Sequence, residues 1–198
     1  MKRIFIAIEI PEEIKNKIIE LQKQLSPVGS LRKKEPNMVE KRKKEMKGKL
    51  TERENLHITL KFLGEIDEDK IEEVKKRLRE IKFKSFEAKV DKIGFFDNQK
   101  SQIYSNELIV WLNVANCEKL QKEIDKKLEG LFEKEKIFMG HLTIARTKYI
   151  QDKKKFLEEL EKIKISSLGF NVKEFVLKES IPLKNKHVYK DLEKYKLN

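Results

Sequence analysis

His57-Ile58-Thr59-Leu60 and His141-Leu142-Thr143-Ile144 are two copies of one tetrapeptide frame in a chain of 198 residues. The chain has three histidines and four threonines, so a given histidine meets a threonine two places on about 2% of the time. Two of three doing so by chance has odds on the order of one in a thousand. In both frames polar and apolar residues alternate, which predicts strands with His and Thr on one face and Ile or Leu on the other. A strand that buries its apolar face presents the polar one, and two such strands predict a paired acid/base site.

The elements around the two frames repeat. Residues 3–9 read as a strand ended by Pro11, and Pro11-Glu12-Glu13 open an amphipathic helix with Ile14, Ile18, Leu21 and Leu25 on one face. The first frame lies in a strand over 55–63, closed by Gly64. Asp67-Glu68-Asp69 then cap a helix to about residue 82, with Ile71, Val74, Leu78 and Ile81 inward, and a strand follows at 86–96. The second half restarts with a strand at 108–114 and a helix at 117–132 carrying Leu120, Ile124, Leu128 and Leu131. The second frame follows in a strand at 139–147, then a helix at 151–163 with Phe156, Leu160 and Ile163, then a strand at 169–178. Both frames take the third slot of their half, which predicts a pseudo-twofold relation with the histidines meeting in a cleft. The last stretch, 184–195, reads as a return strand carrying His187 as a surface residue.

Charge and composition narrow the class. The 46 basic and 34 acidic residues give a formal charge of +12, which favours a polyanionic partner such as nucleic acid. A Lys/Glu-rich composition with 40% charged residues also describes the solvated surface of a thermophile's protein. No apolar run reaches membrane-spanning length, and the N-terminus lacks the features of a signal peptide. A single cysteine, Cys117, excludes an internal disulfide, predicts a reducing, cytoplasmic setting and reads as a packed helix residue. Residues 32–49 stand outside the repeat, with nine Lys/Arg against three Glu. They read either as a mobile loop or as a basic flap that grips phosphates.

Paired imidazoles suit proton transfer in both directions near neutral pH. Each threonine hydroxyl, two residues on and on the same face, can donate to a shared anionic group. Two His and two Thr would surround a phosphate with four donors, and Arg146 adds a fixed cation able to fork two phosphoryl oxygens. Lys61 shares the face of His57 under strict alternation and reads as a further phosphate contact. Phe62 falls on the opposite face unless a bulge turns it. Neither frame offers a third ligand at close spacing, and no glycine-rich phosphate loop is present, so neither a metal nor a cofactor is expected. A metal-free phosphodiester chemistry has a natural substrate in the strained ring of an RNA 2′,3′-cyclic phosphate. Trp111 and Tyr104 read as core and sheet packing.

The chain resembles the two-histidine phosphoesterases, and within them the RNA 2′,3′-cyclic phosphodiesterases, historically called 2′-5′ RNA ligases. The resemblance spans nearly the whole chain and rests on 3–8, on 54–64 (ENLHITLKFLG) and on 140–146 (GHLTIAR). It implies an α+β fold of two pseudo-twofold-related lobes, with antiparallel sheets lining a central cleft and helices outside. Residues 1–198 would form a single bilobal domain with a basic loop insertion at about 28–50. His57 and His141 would be the catalytic pair, Thr59 and Thr143 would bind the phosphate, Arg146 would clamp it, and Phe62 would stack a terminal base. The first histidine would protonate the departing 3′ oxygen and the second would activate water, leaving a 2′-phosphate. The partner would be RNA with cyclic phosphate ends, tRNA fragments among them, acted on by a cytoplasmic monomer. The sequence departs from the family in its longer basic insertion and in Met139-Gly140 where a proline is usual. Ligation or cleavage of 2′-5′ linkages at the same site, and a non-catalytic RNA-binding module, are the alternative readings.

Overall fold

The computed structural model describes residues 1–25, 46–97, 108–150, 152–165, 168–184 and 187–198. Most of the basic segment and Tyr104 lie outside the described residues. Nine strands and four α-helices are described in the order β1 (Lys2–Glu9), α1 (Glu12–Leu25), β2 (Met46–Leu50), β3 (His57–Ile66), α2 (Glu68–Arg79), β4 (Phe86–Asp97), β5 (Leu108–Ala115), α3 (Glu118–Lys127), β6 (His141–Ile150), α4 (Lys153–Glu161), β7 (Leu168–Val172), β8 (Glu174–Pro182) and β9 (His187–Lys196). A short 3₁₀ turn at Arg53–Asn55 leads into β3.

The helices start where their sequence dictates. Asp67 accepts a hydrogen bond from the Lys70 amide at 2.9 Å and Asp152 from the Lys155 amide at 3.0 Å, each capping a free helix end. Ile71, Val74 and Leu78 on α2, and Phe156 and Leu160 on α4, recur at helical spacing and are buried. On α3 the inner face also carries Gln121 and Asp125, both buried.

All nine strands join one antiparallel sheet in the order β7-β4-β5-β6-β3-β1-β8-β9, with β2 alongside β6. The order is symmetric about the β6–β3 junction. In one half β6, β5, β4 and β7 follow outward, and in the other β3, β1, β8 and β9. The two halves meet at a single pairing, Ile58 opposite Leu142, both fully buried. Apart from β2, which pairs with β6 between β1 and β3, the chain crosses between halves twice, since β4 follows α2 but pairs with β5, and β8 follows β7 but pairs with β1. The strand expected at 169–178 is therefore two strands: β7 pairs with β4, and β8 departs after Lys173 for the other half. Part of the basic segment, Met46–Leu50, is a strand paired with β6 rather than a loop.

The helices cover one face of the sheet, and the apolar side chains of β1, β3, β5 and β6 pack beneath them in one core. Helix α1 lies behind β6 and α3 behind β3, so each half is braced by the helix that precedes the other half's motif strand. The opposite, concave face carries the motif histidines.

Candidate active site

Setting Ile58 opposite Leu142 in an antiparallel register brings His57 beside Thr143 and Thr59 beside His141 on the concave face. Both histidines are held in the same way. His57 Nδ1–H donates to the Asn55 carbonyl at 2.7 Å, and His141 Nδ1–H to the Met139 carbonyl at 2.9 Å, each two residues back. A carbonyl only accepts, so Nδ1 carries the hydrogen in both rings and Nε2 is the reactive nitrogen of the neutral form. His57 Nε2 lies 3.1 Å from the Thr59 hydroxyl. Asn55 is itself anchored, its side-chain amide donating to the His187 carbonyl at 3.0 Å. His187 thus serves the site through its backbone, while its side chain is exposed.

Each motif strand carries a bulge one residue after its threonine. Along β1, Ala7 pairs with Thr59 but Ile6 pairs with Lys61, so Leu60 is the extra residue. Along β5, Trp111 pairs with Thr143 but Val110 pairs with Ala145, so Ile144 is the extra residue. An extra residue reverses the alternation beyond it. Phe62 therefore faces the groove with His57 and Thr59, opposite Phe5 and 68% exposed. Arg146 turns onto the same face as His141 and Thr143 and is exposed.

The same bulge removes Lys61 from the groove, contrary to its reading as a phosphate contact. Lys61 is 3% exposed, and its ammonium donates to Asp125 at 2.6 Å and to the Glu133 carbonyl at 2.7 Å. Asp125 also accepts from Gln121 at 2.7 Å and from the Glu135 amide at 3.0 Å. Although burial opposes ionisation of Asp125, these donors and the Lys61 charge hold its pKa below the usual carboxylate value. Lys61 is a structural cation that ties β3 to α3 and to the loop ahead of β6.

Aromatic rings that the sequence reading did not assign to the site flank both histidines. Tyr189 meets the His57 ring edge-on at 5.1 Å between centroids, and Phe5 lies 5.1 Å away at a tilt. On the other side Phe96 meets His141 edge-on at 5.2 Å and contacts Trp111. Trp111 is buried as expected, yet its contact is with this concave-face cluster. Tyr189 had a legible signal, since it lies two residues beyond His187 in a strand. Phe96 ends a long strand and had none.

Burial pushes the His57 pKa down to about 4. Lys178 adds to the fall and Glu9 opposes it. Lys178 is buried on β8 opposite Phe5 and is neutralised by Glu9 and Asp191. Cys117 is also buried, and burial raises its thiol pKa to about 12, which keeps it protonated and unreactive. Gly140 fits a close approach of chains. A Cβ there would lie 2.2 Å from the Val114 carbonyl oxygen, and the Val114 amide bonds the Gly140 carbonyl at 2.9 Å. Among the described residues no three His, Cys, Asp or Glu side chains converge to hold a metal ion, and no helix is long and apolar enough to cross a membrane.

Known proteins share both sequence and architecture with this chain. The family model for LigT-like phosphoesterases matches residues 31–104. An RNA 2′,3′-cyclic phosphodiesterase of Methanocaldococcus jannaschii is 36% identical over 98% of this chain and 99% of its own length. One of Archaeoglobus fulgidus is 31% identical over 96% and 97%. Among solved structures, a protein of Thermus thermophilus superposes with a TM-score of 0.72 at 21% identity, covering 98% of this chain and 97% of that one. E. coli LigT, solved with 3′-AMP, superposes with a TM-score of 0.69 at 20% identity, covering 99% and 98%. Similarity to curated relatives over the full length of both chains makes this chain a member of the LigT-like phosphoesterase family.

Proposed function

We propose that this chain is a phosphodiesterase that opens 2′,3′-cyclic phosphate ends of RNA, with His57 and His141 as its general acid/base pair. The observation that carries the reading is the single β3–β6 pairing, Ile58 opposite Leu142, which sets the two His-x-Thr frames face to face on an open surface. The full-length relatives that carry the name RNA 2′,3′-cyclic phosphodiesterase supply the substrate class.

One imidazole takes a proton from water as the water oxygen bonds to phosphorus. The other gives a proton to the 3′ oxygen as its bond to phosphorus breaks, leaving a 2′-phosphate and a free 3′ hydroxyl. Thr59 and Thr143 donate to the non-bridging oxygens, and Arg146 neutralises the charge that builds there. Phe62 offers its exposed ring to the terminal base. Burial keeps His57 neutral in the unliganded chain, the form that accepts a proton. To act as the acid, His57 takes up its proton together with the anionic substrate, which offsets the desolvation of the imidazolium.

The test is incubation of the protein, in excess EDTA, with a short RNA ending in a 2′,3′-cyclic phosphate, and identification of the product. Opening to a 2′-phosphate that vanishes in His57→Ala and in His141→Ala is the expected result. No opening between pH 5 and 9, or full activity in either variant, overturns it.

A further inference from the structure

Arg146 has a second cation as its direct cross-strand neighbour. The antiparallel register of β2 on β6 sets Lys49 opposite Arg146. Opposed residues of such a pair share a face, so Lys49 stands beside Arg146 on the concave side, with its side chain 54% exposed. Like charges in this relation destabilise a sheet unless an anion lies between them.

The fold nevertheless fixes the opposition. The Thr51 amide donates to the Ile144 carbonyl at 2.9 Å, extending the ladder beyond Leu50 to the bulged residue of β6. Gln22, reaching up from α1 and 2% exposed, donates from one amide nitrogen to the Ile144 carbonyl at 2.8 Å and to the Thr51 carbonyl at 3.0 Å. A Cβ on Gly48 would lie 2.7 Å from the Arg146 carbonyl oxygen, so glycine alone lets β2 close on β6 here. The end of β2 is therefore locked to the strand that carries His141, Thr143 and Arg146. Lys49 pairs with Glu52 at 2.9 Å, a solvent-exposed contact of a kind that stabilises by under about 1 kcal/mol and yields readily to a phosphate.

Two cations one strand spacing apart suit two phosphates of one polynucleotide better than one. With Arg146 on the cyclic phosphate, Lys49 lies one strand to its side, on β2, which joins the same edge of β6 as β3. We infer that Lys49 binds the internucleotide phosphate on the 5′ side of the terminal nucleotide, so that single-stranded RNA leaves the active site over β2. This rests on the proposed function.

The experiment uses a trinucleotide ending in a 2′,3′-cyclic phosphate, with its last internucleotide linkage either a normal phosphodiester or an uncharged methylphosphonate. Wild-type protein is expected to prefer the charged substrate by about tenfold in kcat/KM, the size of one good ionic contact. Lys49→Ala removes that preference and makes the dependence of log KM on log salt shallower by about 0.7, and Lys49→Arg keeps both. No preference in the wild type, a preference that survives Lys49→Ala, or an equal loss on both substrates in that variant overturns the assignment. Wild-type protein that opens neither substrate overturns the proposed function and this inference with it.

Discussion

Phe62 and Arg146 occupy equivalent positions in the two halves of the sheet. Each lies five residues after its histidine and is turned into the groove by a bulge, at Leu60 in one strand and at Ile144 in the other. The symmetry of the backbone is thus filled asymmetrically, with an exposed ring on one side and a guanidinium on the other. A nucleotide ending in a phosphate has the same two-part chemistry, a flat base and an anion.

Arg146→Ala is expected to lower kcat/KM on a cyclic-phosphate RNA by about tenfold to a hundredfold, the value of a charge-assisted contact. Arg146→Lys should recover only part of this, because an ammonium cannot fork two oxygens. Full recovery by lysine in steady-state kinetics would reduce Arg146 to a point charge.

Phe62→Ala is expected to raise KM by roughly five- to a hundredfold, as loss of one base stack does, with little change in Tm because the ring is already exposed. Phe62→Tyr should behave as wild type. A fall in Tm with unchanged KM would make the ring a packing residue.

His57 is neutral down to about pH 4 in the folded chain but titrates near 6.5 when unfolded. Between those values the unfolded chain binds the extra proton, so folding stability falls as pH drops from about 6.5 to 4. The loss is about 3 kcal/mol for this group and is absent in His57→Asn. Denaturant unfolding of both proteins at pH 7.5 and 4.5 checks the size. An NMR titration that placed His57 near 6.5 would contradict it.

Tyr189→Ala should let water reach the His57 ring and move its pKa upward, since desolvation is the main cause of its depression. The NMR titration of the variant reads this directly. An unmoved value would assign the desolvation to Phe5 and the sheet instead.

Lys61→Met should cost about 3–5 kcal/mol of stability, because it leaves Asp125 buried without its cation. Chemical denaturation measures the loss. Normal stability with a raised KM would return Lys61 to the phosphate.

The sequence by itself determined the two motif strands, the repeat that makes them equivalent and the four helices between strands. Those features live in local periodicity, in capping residues such as Asp67 and in the recurrence of His-x-Thr. It also singled out the histidines, threonines and Arg146 as candidates, because the chemistry proposed for them depends on residue type and spacing. Tertiary structure alone decided which way residues 61, 62 and 146 face. Alternation holds only while the ladder is regular, and each bulge is made against a partner strand, β1 or β5, distant in sequence. For the same reason residues 169–178 could not be seen to divide between two halves of the sheet, nor Tyr189 and Phe96 to stand against the histidines. Which strand pairs with which is settled by packing across the whole chain, not by any window along it.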